Sequence, residues 1–165
     1  MKKVIVGMLV MMLMVACSST KEVANNSNSI TEETVTKTNE VKKVELLTFK
    51  RTSCFGRCPV YDLKIYSDKT CEVDGKLFFI VEGIHQGALT QSQYDDVLKR
   101  IKDINYFELK DVYDDPFVQD IPASYVSVQL DGKAKSIKSR YNSPKELTIF
   151  LTYLHELTIG MVWSK

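Results

Sequence analysis

The chain has 165 residues, 22 of them basic and 21 acidic, for a formal net charge of +1. A balance this even provides no basic stripe to neutralise phosphates, which argues against nucleic acid as a partner. Its hydrophobic fraction of 44% suits one modest core, and no apolar run reaches the roughly 20 residues that a membrane-spanning helix needs.

Met1-Lys2-Lys3 is basic, and Val4 to Ala16 is an unbroken apolar run. Too short to span a bilayer, this pattern reads as a secretory signal peptide over residues 1–16. Its removal takes Lys2 and Lys3 with it and turns the net charge to −1. Residues 17–43 are rich in Ser, Thr, Asn, Lys and Glu and poor in large apolar side chains. Such a stretch buries too little surface to offset its chain entropy, so it reads as a disordered tether. Residues 44–165 are then expected to form a single globular domain.

Within that domain Val44–Lys50 is a short strand candidate. In Val60–Tyr66 the residues Tyr61, Leu63 and Ile65 alternate with Asp62 and Lys64, the mark of a half-buried strand. Thr70–Val73, Leu77–Val81 and Ile84–Leu89 follow, with Asp74-Gly75 and Glu82-Gly83 read as turns between them, so the region is expected to be an antiparallel meander. Thr90 and Gln93 fit a capping box. Beyond them Tyr94, Val97, Leu98, Ile101 and Ile104 recur at helical spacing, with charged residues on the opposite face. From Asn105 to Ala123 the periodicity fails, and Asp114-Asp115-Pro116 and Asp120-Ile121-Pro122 read as turns. Val126, Val128 and Leu130 alternate again, Asp131-Gly132 is a hairpin signal, and Lys133–Ser139 returns as a polar edge strand. A second helix opens at Ser143-Pro144-Lys145-Glu146, read as a capping box with proline in the first turn. Its buried stripe is Leu147, Phe150, Leu151, Leu154 and Leu157; Gly160 ends it, and Trp163 is expected to close over the core. The expected fold class is α+β: an antiparallel meander with two amphipathic helices packed on it.

The most distinctive stretch is Arg51 to Tyr66, RTSCFGRCPVYDLKIY. Cys54 and Cys58 would lie about 13 Å apart on an extended chain, whereas a disulfide needs Cα atoms roughly 4.4–6.8 Å apart. Bonding them requires Phe55-Gly56-Arg57 to curl, which a positive φ at Gly56 would ease. Pro59 biases Cys58 to extended geometry and launches the next strand.

These residues, with the VDG and VEGIHQG that follow, resemble a family of small bacterial envelope lipoprotein domains of unknown function. The resemblance rests on Cys54, Phe55, Gly56, Cys58, Pro59 and Tyr61, and more loosely on Val73 to Gly87, Asp120 and Pro122. Asp68-Lys69-Thr70 stands where that family has glycine in its first hairpin turn. The resemblance implies a domain type and a compartment, and carries no activity. Leu13-Met14-Val15-Ala16-Cys17 likewise resembles a lipobox, with Cys17 as the lipidated residue and membrane anchor. Ser18 after it fits sorting to the outer membrane.

In an exported domain cysteines are normally oxidised, which favours a structural Cys54–Cys58 disulfide. Arithmetic alone leaves Cys71 open as a partner for either. The CxxxC spacing differs from the CxxC of thiol–disulfide enzymes. Cys71, His85 and His155 lack zinc-ligand spacing, and Asp111, Asp114, Asp115 and Asp120 lack that of a calcium loop, so neither metal nor cofactor is expected. Neither a nucleophile elbow, a phosphate loop nor a zinc-protease motif is found. The leading expectation is a monomeric, non-enzymatic, lipid-anchored envelope domain that binds a protein, cell-wall or small-molecule ligand. Its candidate binding surface is Phe55, Gly56, Arg57, Pro59, Tyr61 and Asp120. The alternatives are a redox protein using Cys54 and Cys58, or an inhibitor presenting the Cys54–Pro59 corner to a hydrolase.

Overall fold

The computed structural model describes residues 43–165; the expected signal peptide, Cys17 and all but the last residue of the expected tether lie outside the described residues. The elements are β1 (Glu45–Arg51), β2 (Val60–Tyr66), β3 (Thr70–Leu77), β4 (Gly83–Ala88), α1 (Gln91–Asp103), a 3-10 turn (Tyr106–Glu108), β5 (Val112–Tyr113), β6 (Ser124–Leu130), β7 (Lys133–Ser139) and α2 (Lys145–Gly160). They form an α+β fold, in which a seven-stranded sheet of order β4-β3-β2-β1-β6-β7-β5 carries two helices. The first four strands form the expected antiparallel meander with one strand fewer than expected, because residues 78–81 of the expected strand Leu77–Val81 are a bend. The β6–β7 hairpin docks on the free side of β1, antiparallel to it, and β5 joins β7 in parallel.

Alternation puts Leu47 and Phe49 of β1, Tyr61, Leu63 and Ile65 of β2, Cys71 and Val73 of β3, Val126 and Val128 of β6, and Ile137 of β7 on one face. A register shift between Glu45 and Leu47 also turns Leu46 inward. Val97 and Ile101 of α1 and Leu147, Phe150, Leu151 and Leu154 of α2 complete a single core against that face. Each such side chain contributes about 1.5–3 kcal/mol of burial. The helices are tied together by Arg100, which pairs with Asp96 at 3.0 Å and lies 4.0 Å from the centre of the Tyr153 ring.

The caps and turns divide into those that follow their local sequence and those that do not. Thr90 and Gln93 form the expected capping box, each side chain reaching the other's backbone N–H. Asp131 and Gly132 have φ of 52° and 75°, the two positive values of a type I′ hairpin. Lys69 takes φ 69°, and Asp68 Oδ1 supports the turn by accepting from Thr70 N at 3.0 Å. At α2 the N-cap is Pro144 and no side chain caps it, because the Ser143 hydroxyl instead bonds the Ser139 hydroxyl at 2.6 Å.

Asp74-Gly75 is not a turn. β3 runs through it to Leu77, and the bend lies at 78–82, where Phe78 has φ 55°. That loop folds back so far that a Cβ at Gly75 would lie 1.9 Å from the Val81 carbonyl oxygen. Glycine serves close approach there, not a turn. Trp163 covers the far edge of the core, with its Nε1 donating to Thr158 O at 3.0 Å and its ring against Gly87.

Candidate functional site

Antiparallel pairing brings the end of β1, the start of β2, the end of β3 and the start of β6 to one end of the sheet. The loops joining them gather there as a consequence of topology, and the cysteine corner is one of them. Cys54 and Cys58 are disulfide-bonded with Cα atoms 5.7 Å apart. Gly56 does not use a positive φ, and a Cβ there would meet only Cys54 Sγ, at 3.7 Å. The curl is therefore open to ordinary residues.

The corner is fastened to the 114–123 segment. Thr52 N donates to Ala123 O at 3.0 Å, Ala123 N donates to Thr52 Oγ1 at 2.9 Å, and Phe55 N donates to Asp120 O at 3.4 Å. It also touches the β3–β4 loop, where the Arg57 guanidinium lies 5.4 Å from the centre of the Phe78 ring. This framework leaves large apolar side chains in water: Phe55 is 93% exposed, and Ile80, Phe78 and Ile121 are also exposed. Phe117 is 94% exposed on a turn fixed by Asp115 Oδ1, which accepts from Phe117 N at 2.9 Å.

Of the six residues expected to make a binding surface, Phe55, Gly56, Arg57 and Asp120 are exposed and Pro59 is half-buried. Tyr61 is corrected: it is fully buried, its ring centre 4.4 Å from that of Phe79 and tilted 34° to it, because the alternation of β2 points it into the core. Its hydroxyl meets His155 Nδ1 at 2.8 Å, across 94 residues of sequence. Burial, followed by the neighbouring Arg51 charge, holds His155 below its ordinary value, and burial pushes the Tyr61 phenol up. A neutral phenol and a neutral imidazole thus share this hydrogen bond.

Cys71 is buried and unbonded in β3, and burial raises its thiol to about 12, so it takes no part in the corner. Of the acidic residues of 111–120, Asp111 pairs with Lys135 of β7 at 2.8 Å, Asp114 pairs with Lys138 of β7 and with Arg140 just beyond it, and Asp115 accepts from Phe117 N. Among the described residues no group of three or more His, Cys, Asp or Glu could hold a metal ion.

Sequence reading passed over Arg51. It continues the Leu47, Phe49 alternation of β1 and so belongs to the core face, and an arginine at such a position is itself a signal. Its Nε is sealed from solvent with no hydrogen-bond partner. Together with Arg140 it lines a cleft of about 450 Å³ between the ends of β6 and β7 and the first turns of α2.

No curated protein and no solved structure matches the chain. A family profile does match, over residues 45–158, a span that takes in the cysteine corner, the whole sheet and most of α2. The chain belongs to the family described as Domain of unknown function (DUF6438).

Proposed function

We propose that this protein is a lipid-anchored component of the bacterial cell envelope, tethered through Cys17, whose domain acts by binding another envelope protein rather than by catalysis. The signal-peptide pattern and the lipobox-like LMVAC sequence support the anchor. The observation that carries the binding role is Phe55. A phenylalanine 93% exposed at the tip of a disulfide-closed, backbone-fastened loop costs solubility, and burial in a partner recovers that cost. Rigid aromatic side chains are the usual anchors of protein interfaces, because little conformational entropy is lost when they dock. Ile80, Ile121 and Phe117, exposed on the neighbouring loops, extend the same end.

A photo-reactive amino acid at position 55 of the full chain, in its native host, tests the binding role. One discrete protein adduct is expected on illumination, and its loss when Phe117→Ala is added supports a shared surface. The absence of an adduct at position 55 overturns the reading. The anchor is tested separately. Cys17→Ala is expected to release the protein from the membrane fraction, and full retention there contradicts lipidation.

A further inference from the structure

We propose that the cleft lined by Arg51 and Arg140 binds the oxyanion group of a small ligand, a carboxylate or a phosphate. This site lies at the same end of the sheet as Phe55 but is lined by different residues, and neither proposal requires the other.

The lining sets the charge of the ligand. Arg51 and Arg140 both line the cleft, and among the described residues no Asp or Glu does. Arg140 is held in place from behind, its Nε 3.1 Å from Asp114 Oδ1 and its Nη1 donating to Val118 O at 3.0 Å. Asp114 is in turn shared with Lys138, so it does not neutralise the pair of arginines. Arg51 makes no ion pair among the described residues, and its buried Nε has no acceptor. A sealed guanidinium N–H without an acceptor is uncommon, since buried polar groups are normally hydrogen-bonded. An incoming oxyanion supplies that partner, and the planar fork of donors accepts either a carboxylate or a phosphate in bidentate fashion.

The remaining walls fit the same ligand. Ser139 is only 8% exposed, and its hydroxyl and that of Ser143, 2.6 Å apart, stand on the cleft wall with Ser124, Thr148 and Thr152. Because Ser143 is held by Ser139, the first turn of α2 has no side-chain cap, and its free N–H groups add partial positive charge on that side.

The sequence supplies its own controls, because it contains four arginines: Arg51, Arg57, Arg100 and Arg140. The full chain, purified in a non-ionic detergent and labelled with ¹⁵N-arginine, shows one Nε–H resonance for each. Inorganic phosphate and, separately, an acetylated dipeptide with a free C-terminal carboxylate are titrated at constant ionic strength. The resonances of Arg51 and Arg140 are expected to move along one saturable curve while those of Arg57 and Arg100 stay fixed. Arg51→Gln is expected to weaken that curve, read at Arg140, at least ten-fold, with partial recovery in Arg51→Lys. Tighter saturation by the dipeptide assigns a carboxylate ligand, and tighter saturation by phosphate assigns a phosphorylated one. Equal, non-saturating movement of all four resonances, or no movement of Arg51 and Arg140 with either probe, overturns the proposal.

Discussion

The helix-free face of the sheet and its disulfide-bearing end are both exposed, yet they manage their exposed groups in opposite ways. On the face, polar side chains pair across the strands, with Asp62 Oδ1 sealed from solvent and reached only by the more distant Lys50 charge. Asp62 of β2 takes Lys50 from β1 and Lys76 from β3, Lys64 meets Glu72 at 2.9 Å, Gln86 reaches the other Glu72 oxygen, and Ser127 bonds Ser136 at 2.7 Å. At the end, bare phenylalanine rings stand in water and Arg51 has a sealed donor without an acceptor. A surface whose groups are paired internally offers little to a partner, whereas unpaired donors and exposed aromatic rings are what binding can satisfy. The difference supports the proposal that the end, and not the broad face, meets a partner.

Substitutions can break that contrast, and their expected effects fall in a definite order. Gly75→Ala drives a Cβ into the Val81 carbonyl, so the 78–82 loop must lift and the apolar end must rearrange. A loss of about 3 kcal/mol is expected in denaturant unfolding. Gly56→Ala, in the corner itself, should stay within about 0.5 kcal/mol of the parent, since its Cβ finds only ordinary contact. Cys54→Ser opens a small ring whose closure is worth about 2 kcal/mol. Because Thr52 and Phe55 also fasten the corner, the expected result is a loosened loop on an intact sheet, read by faster amide exchange confined to 52–59.

The buried Tyr61–His155 pair predicts a dependence on pH. The folded state holds His155 below its unfolded value, so the unfolded chain binds more protons, and stability falls as pH drops through about 6.5. His155→Gln should flatten that slope in urea melts at pH 5 and pH 8; an unchanged slope places the titration elsewhere. On the open face, Asp62→Asn is expected to cost about 1 kcal/mol or less, shrinking further in high salt.

Much of this fold was legible because its signals are local. The alternation of Tyr61, Leu63 and Ile65, the Thr90–Gln93 box and the Asp131-Gly132 hairpin are each decided within a few residues of sequence, and the structure contains all three. The failures have a common cause in contacts made from a distance. Asp74-Gly75 has the composition of a turn, but Gly75 is required by a carbonyl six residues on. Ser143 has the composition of a cap, but a hydroxyl at the end of β7 takes it. β5 is two residues long and exists only because β7 offers an edge for Val112 and Tyr113. In the candidate site the corner was visible in its own residues. The cleft was not, because Arg51 and Arg140 are brought together only when β6 and β7 dock on β1. Tyr61 was misplaced by weighing its motif above the alternation of its strand.

The central claim, that the disulfide-bearing end is the binding end, is tested most directly by a photo-crosslinking scan in the native host. Single photo-reactive residues at positions 55, 80 and 117 would be compared with positions 64, 86 and 127 on the open face. The account predicts one common adduct from the first three positions and none from the others. An adduct formed from the open face, with none from the disulfide-bearing end, would contradict it.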